Sequence, residues 1–331
     1  TNTLLNMGLT VGKSTTCVFR HGECNIDIVN HGDDFTILGT NMDIQWVRKM
    51  LGAKYELKLR GVMGSPHNPG DTQEISVLNR IVRWNSHRIE YEADPRHAEI
   101  ITSEFGLKGS KPVTTPGVKS TSPELAEPLG MREASQFRSL VARANYLAQD
   151  RMDLQYSVKE LTRRMSCPDS DDWVPLKRLG RYLMGKPRVV LQYGNQHMSR
   201  YLDGWVDTDW AGCTRTRRPT SGGGLKLGTH TVKTWATTQA TVALSSAEAE
   251  YYGLVKGSCQ LLGLLSLLHD FGIKCMGRIH TDSSAAKGIA SRTGLGKTRH
   301  IAVHLLWVQE RLPNKDFELL KCKGTENPAD L

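Results

Sequence analysis

The stretch Tyr201–Cys213, YLDGWVDTDWAGC, constrains this chain more than any other. Asp203, Asp207 and Asp209 are separated by even numbers of residues. Side chains alternate between the faces of a strand, so all three carboxylates project from one side, with Leu202, Val206 and Trp210 on the other. Like charges that close repel, and each raises its neighbour's pKa. A strand that gathers acids in this way calls for a compensating cation. The other reading is a solvated edge strand whose outward face is acidic. This stretch alone leaves both open.

The chain has 331 residues, enough for about two domains with their own cores. Its net charge of +9 and pI of about 9.2 lean towards a polyanionic partner. Residues 201–331 hold 16 Lys and Arg against 12 Asp and Glu, so no single tail carries the excess. The seven cysteines are an odd number, scattered, with no C-x-x-C pair. That argues against a disulfide framework or a structural zinc site, and for a reducing, intracellular compartment. No apolar run reaches membrane-spanning length and no signal peptide is evident, so no membrane partner is expected.

Gly8 and Gly12 in MGLTVGKSTT suggest a phosphate loop, but they enclose three residues where four are needed, and no apolar strand precedes them. That reading is rejected. Residues 24–40 predict a hairpin, Ile26–Val29 and Phe35–Leu38, around a turn holding Asn30, Gly32, Asp33 and Asp34. A helix is expected within 43–62, two short strands within 75–92, and a helix from Asp94-Pro95 through Ile101. Residues 108–130 are rich in Pro, Gly, Ser and Thr and read as a linker at a domain boundary. Three amphipathic helices follow, with stripes Phe137–Leu147, Leu154–Met165 and Trp173–Leu183. The last block reads strand (201–209), strand (222–228), strand (231–237), helix (246 to about 269), strand (276–281), helices (283–291, 299–311), strand (316–321) and a helix start. That order predicts a mixed sheet with helices on its faces.

Four acids of this block stand at element ends. Asp207 lies on the first strand. Glu250 lies two residues past Glu248, which fits a capping box with Ser245 and is thereby engaged. Asp282 closes the strand RIHTD, where it could equally be an N-cap. Asp330 falls at the third helical position after Asn327 and Pro328, where the helix dipole alone would favour it. Each has a purely structural explanation; together they form a set.

Five runs carry a family resemblance: Asp207-Thr208-Asp209-Trp210-Ala211-Gly212, Arg218-Pro219-Thr220-Ser221-Gly222-Gly223, Ser245-Ser246-Ala247-Glu248-Ala249-Glu250-Tyr251, Thr281-Asp282-Ser283-Ser284-Ala285 and Lys297-Thr298-Arg299-His300-Ile301. Their order and spacing are similar to the ribonuclease H domain of copia-like retrotransposon Pol polyproteins. His31-Gly32-Asp33-Asp34 resembles the catalytic hairpin of a reverse transcriptase palm, and 133–185 the helical segment between polymerase and ribonuclease H. The fold implied is α/β with an α+β N-terminal part: a ribonuclease H-like mixed five-stranded sheet flanked by helices, after a partial palm and a helical connection. The implied division is a palm/thumb portion at 1–107, the linker at 108–130, the connection at 131–195 and the ribonuclease H-like domain at 196–331.

The resemblance further implies that Asp207, Glu250, Asp282 and Asp330 hold two Mg²⁺ or Mn²⁺ ions, for which hard carboxylate oxygens are suited. The implied reaction is cleavage of the RNA strand of an RNA–DNA hybrid. Nucleic-acid backbone contacts are expected from Arg215, Arg217, Arg218, Lys297, Arg299 and His300. The family's polymerase needs a third Asp on an earlier strand than Asp33 and Asp34, so no DNA synthesis by this chain alone is expected. Starting at Thr1 and stopping at Leu331, the chain reads as an excerpt of a longer Pol polyprotein, the rest of which would be its partner. Rival readings are an inactive transposon-derived fragment that only binds nucleic acid, and a DNA-cutting integrase on the same fold. His300 and His304, four apart, are too few for a zinc-protease site.

Overall fold

The computed structural model describes residues 1–107, 109–118, 126–213, 216–296 and 298–330. A short helix α1 (Asn2–Asn6) leads into an antiparallel sheet of β1 (Thr10–Val11), β2 (Val18–His21), β3 (Ile26–His31) and β4 (Asp34–Leu38), in that spatial order. The β3–β4 turn is the two residues Gly32 and Asp33, and Gly32 takes the positive φ (65°) that primed hairpin turns require. Helix α2 (Asn41–Gly52) starts at Thr40 through a reciprocal cap with Asp43 and buries Val47 and Leu51 against Phe19, Ile26 and Ile28.

The next stretch forms three strands rather than the expected two: β5 (Glu74–Val77), β6 (Arg80–Asn85) and β7 (Arg88–Glu92). Leu78 and Asn79, with φ of 49° and 65°, make a two-residue turn inside what reads as one apolar run. Four helices follow, α3 (Arg96–Glu104), α4 (Met131–Ala148), α5 (Gln155–Thr162) and α6 (Trp173–Gly185). The chain then returns as β8 (Val190–Gly194), which pairs antiparallel with β7 and so belongs to the sheet begun at Glu74. Ala98 and Ile101 of α3 share one core with Phe137, Leu140, Leu154, Leu176 and Leu183. Strand pairing and packing therefore both run across the 108–130 stretch.

The last block contains β9 (Tyr201–Asp209), β10 (Thr220–Leu227), β11 (His230–Thr238), α7 (Ser246–Asp270), β12 (Met276–Thr281), α8 (Ser284–Ala290), α9 (Val308–Arg311) and β13 (Glu318–Lys321). Its sheet has the order β11-β10-β9-β12-β13, antiparallel on one side of β9 and parallel on the other. This is the mixed five-stranded sheet flanked by helices that the element order predicts. The expected helix 299–311 is instead a single 3₁₀ turn (Val303–Leu305) and the four-residue α9.

Burial alternates along β9 with Leu202, Val206 and Thr208 inside. Trp210, expected to share that buried face, lies beyond the strand end and is half exposed. Helix α7 crosses β9 at very short range. A Cβ at Gly253 would stand 2.2 Å from Thr208 Oγ1, and one at Gly257 2.3 Å from Val206 Cγ1. Only glycine permits that approach.

The units touch at several places, among them two polar contacts far apart in sequence. Asp270 at the end of α7 accepts from the Lys13 and Ser14 amides (2.9 and 2.8 Å), so the rejected phosphate loop holds a carboxylate of its own chain. On the other side, Lys159 of α5 donates to Thr220 Oγ1 of β10 at 2.7 Å. No described helix is long and apolar enough to cross a membrane.

Candidate metal centre

Asp207 comes from the central strand β9, Glu250 from the second turn of α7, and Asp282 from the residue after β12. The fold brings them together: one carboxylate oxygen of each lies within 4.8 Å of the others, and this is the one such His/Cys/Asp/Glu group among the described residues. All three are half-buried, and none has an ion-pair partner among the described residues. Glu250 Oε2 is buried with no hydrogen-bond donor.

The electrostatics follow from that crowding. Burial, with the charges of Asp207 and Asp282 beside it, pushes the Glu250 carboxyl up to about 8. Burial, then Asp282 and Asp330, push Asp207 up to about 6. A carboxylate oxygen buried without a donor, in a set whose members repel one another, makes a site suited to a cation. Hard oxygen donors at this spacing fit Mg²⁺ or Mn²⁺, so the residues present suit the cations the resemblance implies.

Neighbouring acids are handled otherwise. Asp203, two pleats back on β9, receives Arg278 Nε and Nη2 (2.7 and 2.8 Å) and His280 Nε2 (2.8 Å). Against the upward push of its burial, these hold it below the usual carboxylate range. Asp209 folds back against Gly212, where a Cβ would meet its carboxylate at 1.6 Å.

Asp330 lies in the first turn that Asn327 opens: its amide donates to Asn327 O at 3.2 Å, and its side chain is exposed. The buried Asn327 side chain accepts from the Ala329 amide (3.1 Å), the bond an N-cap makes, and also donates to Val206 O of β9 (3.0 Å). Asp330 is close enough to raise Asp207 yet stands outside the three-carboxylate group. Glu248 differs in detail from the expected capping box. Ser245 Oγ accepts from the Glu248 amide, but the Glu248 carboxylate takes the Leu244 amide (2.8 Å), Tyr252 Oη (2.6 Å) and His300 Nε2 (2.8 Å).

Of the basic residues expected to face nucleic acid, Arg217, Arg218 and Arg299 are exposed, and His300 is engaged by Glu248. Arg215 and Lys297 lie outside the described residues. Asp33 and Asp34 sit on the first sheet, Asp34 paired with Arg60 at 3.0 Å, and belong to no such acidic group among the described residues. Sequence reasoning passed over Gly253 and Gly257; their four-residue spacing in a long apolar helix is the signal that marks a close-packed face.

In fold the chain is similar to a reverse transcriptase of known structure. The foamy viral protease-reverse transcriptase dRH, solved in complex with double-stranded DNA, superposes with a TM-score of 0.51 at 12% identity, over 89% of this chain and 46% of that one. At that identity the likeness concerns fold alone. The Pol polyprotein of transposon TNT 1-94 from Nicotiana tabacum is 26% identical over 331 residues, 96% of this chain and 24% of that protein. The Pol polyprotein of transposon RE2 from Arabidopsis thaliana is 31% identical over 242 residues, 71% of this chain and 16% of that protein. No family model matches the chain. Its homologues are retrovirus-related Pol polyproteins of copia-like plant transposons, and the chain spans about a quarter or less of the length of these two.

Proposed function

We propose that the β9–α7–β12 site hydrolyses the RNA strand of an RNA–DNA hybrid, as the ribonuclease H portion of a Pol polyprotein. The observation that carries this reading is the convergence of Asp207, Glu250 and Asp282, with Glu250 Oε2 buried and unpartnered. Two divalent ions bound there would supply activation of the attacking water and stabilisation of the leaving 3′ oxygen.

The chain's residues set the conditions for that chemistry. Asp207 and Glu250 are held so close that their charges favour cation binding over coexistence. Asp282 would add a third ligand from the parallel strand, and Asp330, whose charge reaches Asp207, would be a fourth. Arg217, Arg218 and Arg299 are exposed cations suited to phosphates, which makes binding strongly salt-dependent. Choice of the RNA strand rests on its 2′-hydroxyls, displayed in the wide minor groove. The ribonuclease H-like division at 196–331, the palm origin of Asp33 and Asp34, and an intracellular setting within the larger polyprotein are part of the same proposal.

The test is cleavage of a labelled hybrid by the full chain in Mg²⁺ and in Mn²⁺. Asp207→Asn and Glu250→Gln should each lower the rate at least about a hundredfold while hybrid binding persists. Cleavage by both variants at the parent rate would remove the site assignment. One observation favours a second reading, a fragment that binds without cutting: the fourth acid, Asp330, stands outside the group. Binding with no cleavage in either metal supports that reading. Cleavage of duplex DNA in preference to hybrid would point to an integrase-like enzyme.

A further inference from the structure

The segment 291–302 after α8 carries the exposed Arg299, and it is anchored in three ways. Internally, Arg292 donates to Leu295 O and Thr298 Oγ1, and Gln309 donates to Ile289 O and Gly294 O (2.9 and 3.1 Å). Ile301 is 2% exposed in the core beneath the five-stranded sheet. The third anchor is polar and reaches across 52 residues. His300 Nε2 donates at 2.8 Å to Glu248 Oε2, whose side chain is 4% exposed.

Glu248 is itself held in place to receive that bond. Its carboxylate already accepts from the Leu244 amide ahead of α7 and from Tyr252 Oη one turn along. The three bonds tie the loop before α7, the first two turns of α7 and the 291–302 segment to one point, two residues from Glu250. Ile301 fixes how deep the segment sits. It does not fix rotation about the chain, and Arg299 lies on the far side of His300 from it.

We propose that His300 is a positioning residue that, through Glu248, aims Arg299 and its neighbours at the hybrid beside the acidic site, rather than a direct contact to nucleic acid. This rests on the ribonuclease reading above for its substrate. The imidazole sets substrate affinity. The placement of Glu250 is secured separately, by the Ser245 cap and by the Gly253–Thr208 approach.

The experiment compares the full chain with His300→Ala and His300→Gln. The glutamine amide keeps an N–H donor at similar reach without the ring. His300→Ala should raise KM for a hybrid oligonucleotide several-fold with kcat little changed, and the slope of log affinity against log salt should fall by about one. His300→Gln should recover both. A fall in kcat at unchanged KM, or no effect of either variant, would overturn the proposal. So would a glutamine variant that folds but does not recover affinity. Hybrid affinity measured by fluorescence anisotropy without metal separates this from the parent reading. If the parent chain does not cleave, the ribonuclease reading falls, while weaker metal-free binding by His300→Ala, recovered in His300→Gln, still supports the positioning role. Unchanged metal-free affinity removes that role whatever the cleavage result.

Discussion

In the β5–β8 sheet, Glu92 is 2% exposed and takes two guanidinium groups, Arg188 Nη2 at 2.6 Å and Arg83 Nη1 at 2.8 Å. Arg188, against the opposing effect of burial and with help from Arg83, holds its carboxyl below the usual range. In the β9 sheet, Asp207 and Glu250 face one another with no cation, and both are pushed up. Asp203 shows that the contrast is not between domains, because on the same strand it is paired like Glu92. Asp94 with Arg96 and Asp153 with Arg151 repeat the paired pattern. Where an acid serves the scaffold, the chain supplies its arginine. Where three acids meet without one, Asp207 and Glu250 are pushed up instead, and a cation is the partner such a set would suit.

Removing a scaffold acid should have the largest effect on stability. Glu92→Gln leaves Arg188 and Arg83 facing a neutral partner and should cost about 3 kcal/mol, read by denaturant unfolding. The sign with pH follows from its depressed pKa. The pair's contribution is present above the unfolded glutamate value of about 4.3 and is lost as pH falls through the lower folded value. The gap between parent and variant should therefore close in acid. A gap that stays constant from neutral pH to pH 3 would show that Glu92 acts through packing and not charge.

The unpaired acids should respond to an added cation. At about a hundredfold excess over its Kd, Mg²⁺ should stabilise the parent by about 2.7 kcal/mol. Asp207→Asn and Glu250→Gln should lose that increment. An equal rise in melting temperature for parent and variants would mean that the metal binds elsewhere.

The smallest effect concerns how the unpaired set is assembled. Gly253→Ala forces α7 away from Thr208 and should cost about 1–3 kcal/mol, with a fall in cleavage. Gly263→Ala, on the same helix with nothing within 4 Å of its Cβ, is the control and should be neutral or stabilising. Equal effects at the two glycines would show that the close approach is not what places Glu250.

Much of this was legible locally. The even spacing of acids in 201–209 matches the observed alternation of β9, and the Gly32-Asp33 turn falls where the hairpin pattern puts it. Both are short-range: a pleat repeats every two residues, and a tight turn needs one residue that tolerates positive φ. Reading was incomplete where a distant partner intervened. The Asn327–Asp330 stretch has the composition of a helix start and makes the cap bond to Ala329, but nothing local shows that Asn327 also donates to Val206 O, 121 residues away. Likewise Glu248 has the spacing of a capping box, yet it is shared with His300 from another segment.

By itself the sequence determined which residues carry charge, which face of β9 they share, and the order of the strands of the last sheet, because these follow from periodicity along the chain. Only the tertiary structure decided which acids meet, which receive arginine, and that β8 closes a sheet begun at Glu74. Those outcomes depend on how near two elements can come, which here turns on the absent side chains of Gly253 and Gly257, and on which buried charge finds a partner across the fold.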